Sequence, residues 1–142
     1  MTQMYNWNDL PREVVRKGIE RCGFRGEEVV VVMNWVAPSI TVNPHRHTFE
    51  QLAFCITGRF NYHVGDEVFL MTPGSMLRVP PNTTHYVEPL GDEVALNLDI
   101  FAPIRKDYAH LVEYQAGEFE PLQEHAAGTS RPGAIVDEGG RP

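Results

Sequence analysis

Residues 45–51 read HRHTFEQ, and the stretch LAFCIT continues from there to residue 57. Alternate side chains of a β-strand share one face. On a strand, His45, His47 and Gln51 would therefore point the same way, with two imidazole rings and an amide oxygen close together. We predict a strand here and a candidate metal site on one of its faces.

The same segment also has apolar residues at helical spacing, namely Phe49, Leu52, Ala53 and Ile56. A helix turns by about 100° per residue, so it would place His45 and His47 about 200° apart. Two rings in that arrangement cannot bind one ion. Only a strand keeps both imidazoles and Gln51 together, which favours the β interpretation.

Glycine and proline recur throughout residues 38–103, and the longest stretch there without either residue is 45–57. Because Pro and Gly end helices, this region favours short strands joined by turns. The pattern predicts an all-β sandwich or small barrel. The predicted strands are Glu27–Val36, Gln51–Thr57, Phe60–Val64, Val68–Met71, Met76–Val79, His85–Glu88 and Val94–Phe101.

The two ends of the chain differ from this middle part. We divide the chain into an N-terminal segment (1–26), a barrel (27–104) and a C-terminal extension (105–142). A short helix is expected around Glu13–Lys17, and a short helix or coil over Arg105–Gln115. From about residue 126 the composition shifts to Gly, Pro and polar residues, which indicates a loose tail or an arm that packs on a partner chain.

Composition excludes several classes of function. The 142 residues carry 12 basic and 19 acidic side chains, a formal net charge of -7, which argues against nucleic acid as a partner. No apolar run is long enough to span a membrane, and the first residues lack the apolar stretch of a secretory signal. We therefore expect a cytoplasmic protein. Two cysteines, Cys22 and Cys55, make neither a disulfide framework nor a CxxC zinc motif.

The ligand set has one open choice. Glu50 is the better ligand by charge, but on a regular strand it points away from the histidines, whereas Gln51 points with them. A bulge could reverse this order. We favour Gln51 as the ligand and Glu50 as an outer or surface group, with His85 as a third imidazole from a neighbouring strand.

Asp99 is the second chemical feature. It lies in VALNLDIF (94–101), a strand-like stretch in which a carboxylate would be desolvated. Desolvation raises the pKa of a carboxyl group and suits it to acid/base work. The alternative, a buried aspartate satisfied by hydrogen bonds, is equally open. Arg105 follows six residues later and could pair with a carboxylate through two hydrogen bonds.

The joint spacing resembles the cupin superfamily. Its first motif is Gly-x5-His-x-His-x3-4-Glu-x6-Gly, and its second is Gly-x5-Pro-x-Gly-x2-His-x3-Asn. The matching residues are His45, His47, Gln51, Gly58, Gly74, Pro80 and His85, and the departures are Ser39, Gln51 itself, Asn82 and Pro89. The resemblance implies a double-stranded β-helix (jelly-roll) barrel that holds a metal through His45, His47, Gln51 and His85.

Three imidazoles and an amide are all neutral, so a bound divalent ion would keep its full charge and favour an anionic substrate. Such ligands suit zinc, nickel, iron or manganese, and the ligand set does not choose among them.

A narrower resemblance is to the KdgF-type cupins, which carry His-x-His…Glu-Gln and a closing Asp-x-Phe-x-Pro-x-Arg-x-Asp-Tyr motif. Here the first motif ends at Glu50-Gln51, and the second spans residues 99–108. That family converts 4,5-unsaturated monouronates from pectin or alginate breakdown into linear keto sugars, an isomerisation. The resemblance implies that Asp99 is the acid/base and that Arg105 contacts the substrate carboxylate or lines the pocket. As a mechanistic hypothesis, we expect the metal to bind that carboxylate and an adjacent oxygen. Arg46 and the long tail after Gln115 depart from the family pattern.

Two other functions stay open at this point. One is a metal-dependent cupin dioxygenase or lyase, and the other is a non-catalytic sugar-binding cupin. We also expect a homodimer, because an exposed sheet edge and a long arm favour pairing.

Overall fold

The computed structural model describes residues 2–119 and the backbone of residues 135–137. These residues form eleven strands and two 3-10 helices. The strands are β1 (Glu13–Arg16), β2 (Ile19–Arg25), β3 (Val30–Val36), β4 (His45–His47), β5 (Gln51–Thr57), β6 (Phe60–Val64), β7 (Glu67–Met71), β8 (Met76–Val79), β9 (His85–Pro89), β10 (Ala95–Phe101) and β11 (Ile135–Asp137). The 3-10 helices are Trp7–Asp9 and Lys106–Gln115.

The strands make two antiparallel sheets. One has the order β1-β2-β3-β10-β5-β8 and the other the order β11-β4-β9-β6-β7. The chain passes between the sheets several times, as in a jelly-roll double-stranded β-helix, so the predicted fold class is confirmed. The seven predicted strands are all present, and β5, β6 and β8 have the predicted bounds. β3 begins three residues later than predicted because Gly26 and Val29 close a turn.

The space between the sheets is filled by alternate residues of the strands. In β5, Gln51, Ala53 and Cys55 are buried while Leu52 is exposed. A central cluster of apolar side chains consists of Ala53, Cys55, Phe60, Tyr62, Val64, Met71, Val79 and Ala95. Each large side chain buried in this way stabilises the fold by about 1.5–3 kcal/mol. Tyr62 belongs to this cluster and also borders the cavity between the sheets, so the apolar core and the polar cavity are adjacent.

The N-terminal segment differs from the prediction. No helix forms around Glu13–Lys17; β1 and β2 form a hairpin there, and Gly18 turns the chain with φ +88. β2 then pairs along its whole length with β3, from Ile19 opposite Val36 to Arg25 opposite Val30. The helix prediction was wrong because a short segment of mixed polarity carries little local preference, and pairing with β3 decides its conformation.

A 3-10 helix forms over Lys106–Gln115, where the sequence predicted a short helix or coil, and it lies against β2. Its buried residues include Tyr108, Leu111 and Val112. Gln115 accepts a hydrogen bond from the Arg25 backbone N–H at 2.9 Å and donates one to the Arg25 carbonyl at 3.1 Å. The predicted loose tail from residue 126 lies mostly outside the described residues, although the backbone of β11 pairs with β4. Within the described part of the chain, no helix has the length and apolar character needed to cross a bilayer.

Gly58 and Gly74 fill two of the glycine positions of the cupin motifs, and both have a positive φ, +76 and +94. A Cβ on Gly58 would lie 2.8 Å from the Ala95 Cα atom, whereas a Cβ on Gly74 would meet nothing within 4 Å. Both replacements add backbone strain, and only the first adds a collision with backbone.

We expect Gly58→Ala to lower the free energy of unfolding by about 3 kcal/mol and Gly74→Ala by about 1 kcal/mol, measured by urea denaturation. Equal losses for the two variants would show that the close approach of Gly58 to Ala95 is not what requires glycine there.

Candidate metal centre

Three histidines meet inside the barrel on two neighbouring strands. His45 and His47 lie on β4, and His85 opens β9, where its Cα pairs with that of His45. Their ligand nitrogens all lie within 4.8 Å of one another. The ring of His85 lies edge-on to the other two, with centroid distances of 4.4 Å to His45 and 4.8 Å to His47.

Backbone carbonyls orient all three rings. The Nδ1 atoms of His45, His47 and His85 lie 2.7, 2.8 and 2.8 Å from the carbonyl oxygens of Asn43, Phe49 and Thr83. A carbonyl can only accept, so each Nδ1 carries the proton. Each Nε2 is then left with its lone pair, which is the form that binds a metal.

The protonation states fit a cation as well. Burial lowers the pKa of His47 to about 4 and that of His85 to about 3, so both rings are neutral near pH 7. The Nε2 atom of His85 is buried and has no hydrogen-bond partner among the described residues. A buried acceptor without a partner is costly, and a divalent ion bound by the three Nε2 atoms would satisfy it. The cluster therefore fits a metal site.

Gln51, not Glu50, faces this cluster. Its Oε1 lies 3.1 Å from the His47 Nε2, and its Nε2 donates to the Tyr62 hydroxyl at 2.8 Å. The amide is thus held with its oxygen toward the histidines. Glu50 is exposed and accepts a hydrogen bond from the Arg78 Nε at 2.8 Å. The structure therefore places Gln51 where a fourth ligand would be and Glu50 on the surface.

Asp99 lies on β10 with its carboxyl group toward the same interior. The amides of Asn34 and Asn97 donate to its two oxygens, both at 3.0 Å. Burial raises the pKa of Asp99 to about 6, and hydrogen bonds from Asn97, Gln51 and Asn34 and the charge of Arg105 only partly offset that rise. Gln51 therefore links the histidine cluster to a carboxyl group that can exchange a proton near neutral pH.

Arg105 is buried and fixed by a carboxylate, as the sequence allowed. Its Nε and Nη2 atoms donate to the two oxygens of Asp107 at 3.1 and 2.6 Å. Three aromatic rings surround the guanidinium, with centroids 4.4 Å (Phe49), 4.7 Å (Phe101) and 3.8 Å (Tyr108) away. Phe49 also stacks on His47 at 4.1 Å. Arg105 is therefore a fixed positive charge close to the metal centre, and its carboxylate partner within the structure is Asp107.

Of these groups, His45, His47, Gln51, Asp99 and Arg105 border one cavity between the sheets. Sequence reasoning missed several of its polar wall residues: Arg16, Arg21, Asn34, Asn97 and Tyr108. For Asn97 a signal existed, since it shares strand parity with Asp99. For Arg21 and Asn34 none did, because their positions at the cavity depend on pairing between strands that are distant in the sequence.

A family model described as a cupin domain matches residues 29–101, just over half of the chain. The chain belongs to the cupin family. The matched region begins just before β3 and ends with β10, so it contains His45, His47, Gln51, His85 and Asp99. No curated protein sequence matches this cupin.

Solved structures with the same fold include several metabolic proteins. KdgF from a Halomonas species is 23% identical with a TM-score of 0.67, over 75% of this cupin and 98% of that chain. The polyketide cyclase RemF from Streptomyces resistomycificus is 19% identical with a TM-score of 0.62, over 72% and 80%. Oxalate decarboxylase from Bacillus subtilis, which has Mn(II) centres, is 19% identical with a TM-score of 0.57, over 70% and 29%.

Proposed function

We propose that this cupin is a metal-dependent isomerase that converts 4,5-unsaturated uronates into linear keto sugars. The observation that carries the proposal is Asp99, a carboxyl group with a pKa raised to about 6 that is linked through Gln51 to three converging histidines. The closing sequence from Asp99 to Tyr108 and the structural similarity to KdgF support the same assignment.

The reaction needs a proton to leave one oxygen and reach one carbon. In the cyclic substrate, the Asp99 carboxylate accepts the proton of the C1 hydroxyl while the bond from C1 to the ring oxygen breaks. The ring oxygen leaves as the negatively charged oxygen of an enolate at C5. Asp99 then returns the proton to C4 while the C5 oxygen becomes a ketone, so no proton is gained or lost overall.

The remaining residues hold Asp99 and the developing charge in place. A divalent ion bound by His45, His47, Gln51 and His85 would act as a Lewis acid that stabilises negative charge on a substrate oxygen. Asn34 and Asn97 fix the carboxyl group of Asp99 by one hydrogen bond each. Arg105 adds a fixed positive charge on the cavity wall, which favours an anionic substrate.

The direct test supplies the purified, metal-loaded protein with 4,5-unsaturated galacturonate and follows the loss of the conjugated alkene absorbance. We expect at least about a 100-fold acceleration over the spontaneous reaction, lost with a chelator and restored with metal. A protein shown to contain metal that gives no acceleration would refute the proposal. Oxygen uptake or β-elimination under the same conditions would assign the site to an oxygenase or a lyase instead.

A further inference from the structure

Three arginines border the cavity, Arg16, Arg21 and Arg105, and all three lie outside the residues that match the cupin family. Arg21 lies on β2, where its Cα pairs with that of Asn34 on β3, and Asn34 pairs in turn with Asn97 on β10. All three side chains border the cavity. Neighbouring strands are about 4.8 Å apart, so Arg21 lies about 10 Å across the sheet from β10, toward the outer part of the cavity.

The contacts of Arg21 leave hydrogen-bonding capacity unused. The Nη2 atom of Arg21 donates to the Glu13 carboxylate at 3.0 Å, and the Arg21 side chain is only 12% exposed. The Nε–H is buried and has no hydrogen-bond partner among residues 2–119. The other Glu13 oxygen contacts the His110 ring, so Glu13 does not serve Arg21 alone. A buried donor without a partner is unfavourable in the absence of a ligand that supplies the missing acceptor.

Tyr108 separates this group from Arg105. The guanidinium of Arg21 lies 4.7 Å from the centroid of the Tyr108 ring, and that of Arg105 lies 3.8 Å from it. The two cations differ in one respect. Asp107 accepts two hydrogen bonds from Arg105, whereas Glu13 accepts one from Arg21. Arg21 is therefore the arginine with more capacity to bind an incoming anion.

We propose that Arg21 binds the carboxylate of the substrate, so that the anion subsite of this cupin is separate from its metal centre. The identity of the ligand as a sugar acid rests on the proposed function, but the presence of an anion subsite does not. A carboxylate has two oxygens that can accept from two N–H groups of one guanidinium, the paired geometry that arginine favours, and a small rotation of the Arg21 side chain would bring its unpartnered Nε–H to such a ligand. This assignment differs from the expectation that the metal binds the carboxylate.

The test compares the binding of D-galacturonate with that of neutral D-galactose by calorimetric or NMR titration, with and without metal. For the metal-free wild-type protein we expect galacturonate to bind at least tenfold more tightly than galactose. In Arg21→Gln this preference should fall about 10–100-fold, the loss expected for a charge-assisted hydrogen-bonded pair. Arg78→Gln, which removes a guanidinium from the outer surface, should keep the wild-type preference.

Two further measurements keep the result interpretable. Thermal unfolding and metal content should match between Arg21→Gln and the wild type, and Arg21→Lys, which keeps the charge but loses the paired geometry, should give an intermediate preference. The proposal is overturned if the galacturonate preference disappears from the wild type on metal removal. It is equally overturned if that preference persists in metal-free Arg21→Gln, or if metal-free wild-type protein binds no galacturonate. An intact preference with no ketonising activity would refute the proposed function alone.

Discussion

The variant His47→Ala is expected to lose its bound metal and about 1000-fold in turnover of 4,5-unsaturated galacturonate, which is about 4 kcal/mol of transition-state stabilisation. His47 is 1% exposed, its ring is stacked on Phe49, and its Nε2 faces both the Gln51 amide oxygen and the other histidines. Alanine would leave two imidazoles and an amide, too few to hold a divalent ion tightly in competition with water.

Metal analysis and thermal unfolding measure this loss separately from activity. Added metal should raise the unfolding temperature of the metal-free wild type, because a ligand that binds only the folded state stabilises it. It should not raise that of His47→Ala. The matched control is His63→Gln. His63 lies on β6, outside the cluster, and its Nε2 is 2.9 Å from the Glu88 carboxylate. Full metal content and turnover in His47→Ala would contradict the assignment of the three histidines as ligands.

The second large effect is expected for Asp99→Asn, with turnover lowered by about 10²–10⁴-fold at unchanged metal content. Asparagine has nearly the same shape but cannot accept and return a proton. Burial raises the pKa of Asp99 to about 6, so the wild-type carboxyl group can accept and return a proton near neutral pH. The amides of Asn34 and Asn97 would have to turn to suit the new side chain, a local change.

Turnover and metal content are measured on the same preparations, and near-UV circular dichroism reports on packing. Asp66→Asn is the matched control because Asp66 is exposed in the turn between β6 and β7. Retention of full turnover by metal-loaded Asp99→Asn would show that another group moves the proton. A variant without metal would instead show that Asp99 supports the metal centre through Gln51.

Local pattern predicted most of the barrel. Strand bounds such as those of β5 and β6 follow from β-branched and aromatic runs between glycines, and Gly58 and Gly74 occupy turns where positive φ is required. The choice of Gln51 over Glu50 followed from parity alone. The single strand predicted for these residues was wrong, because residues 48–50 separate β4 from β5 and the two strands belong to different sheets. Gln51 still faces His47, since both side chains point into the space between the sheets.

The sequence by itself therefore determined the cupin fold, because short strands between turns follow from local pattern, and the motif spacing predicted the three histidines and Gln51 as candidate ligands. Only the tertiary structure decided that β1 and β2 extend the sheet and that Arg21 and Asn34 border the cavity. It also decided that Asp107 is the partner of Arg105. Asn34 and Asp99 are 65 residues apart along the chain and 3.0 Å apart in space. That proximity depends on the pairing of β3 with β10, which sequence spacing alone does not fix.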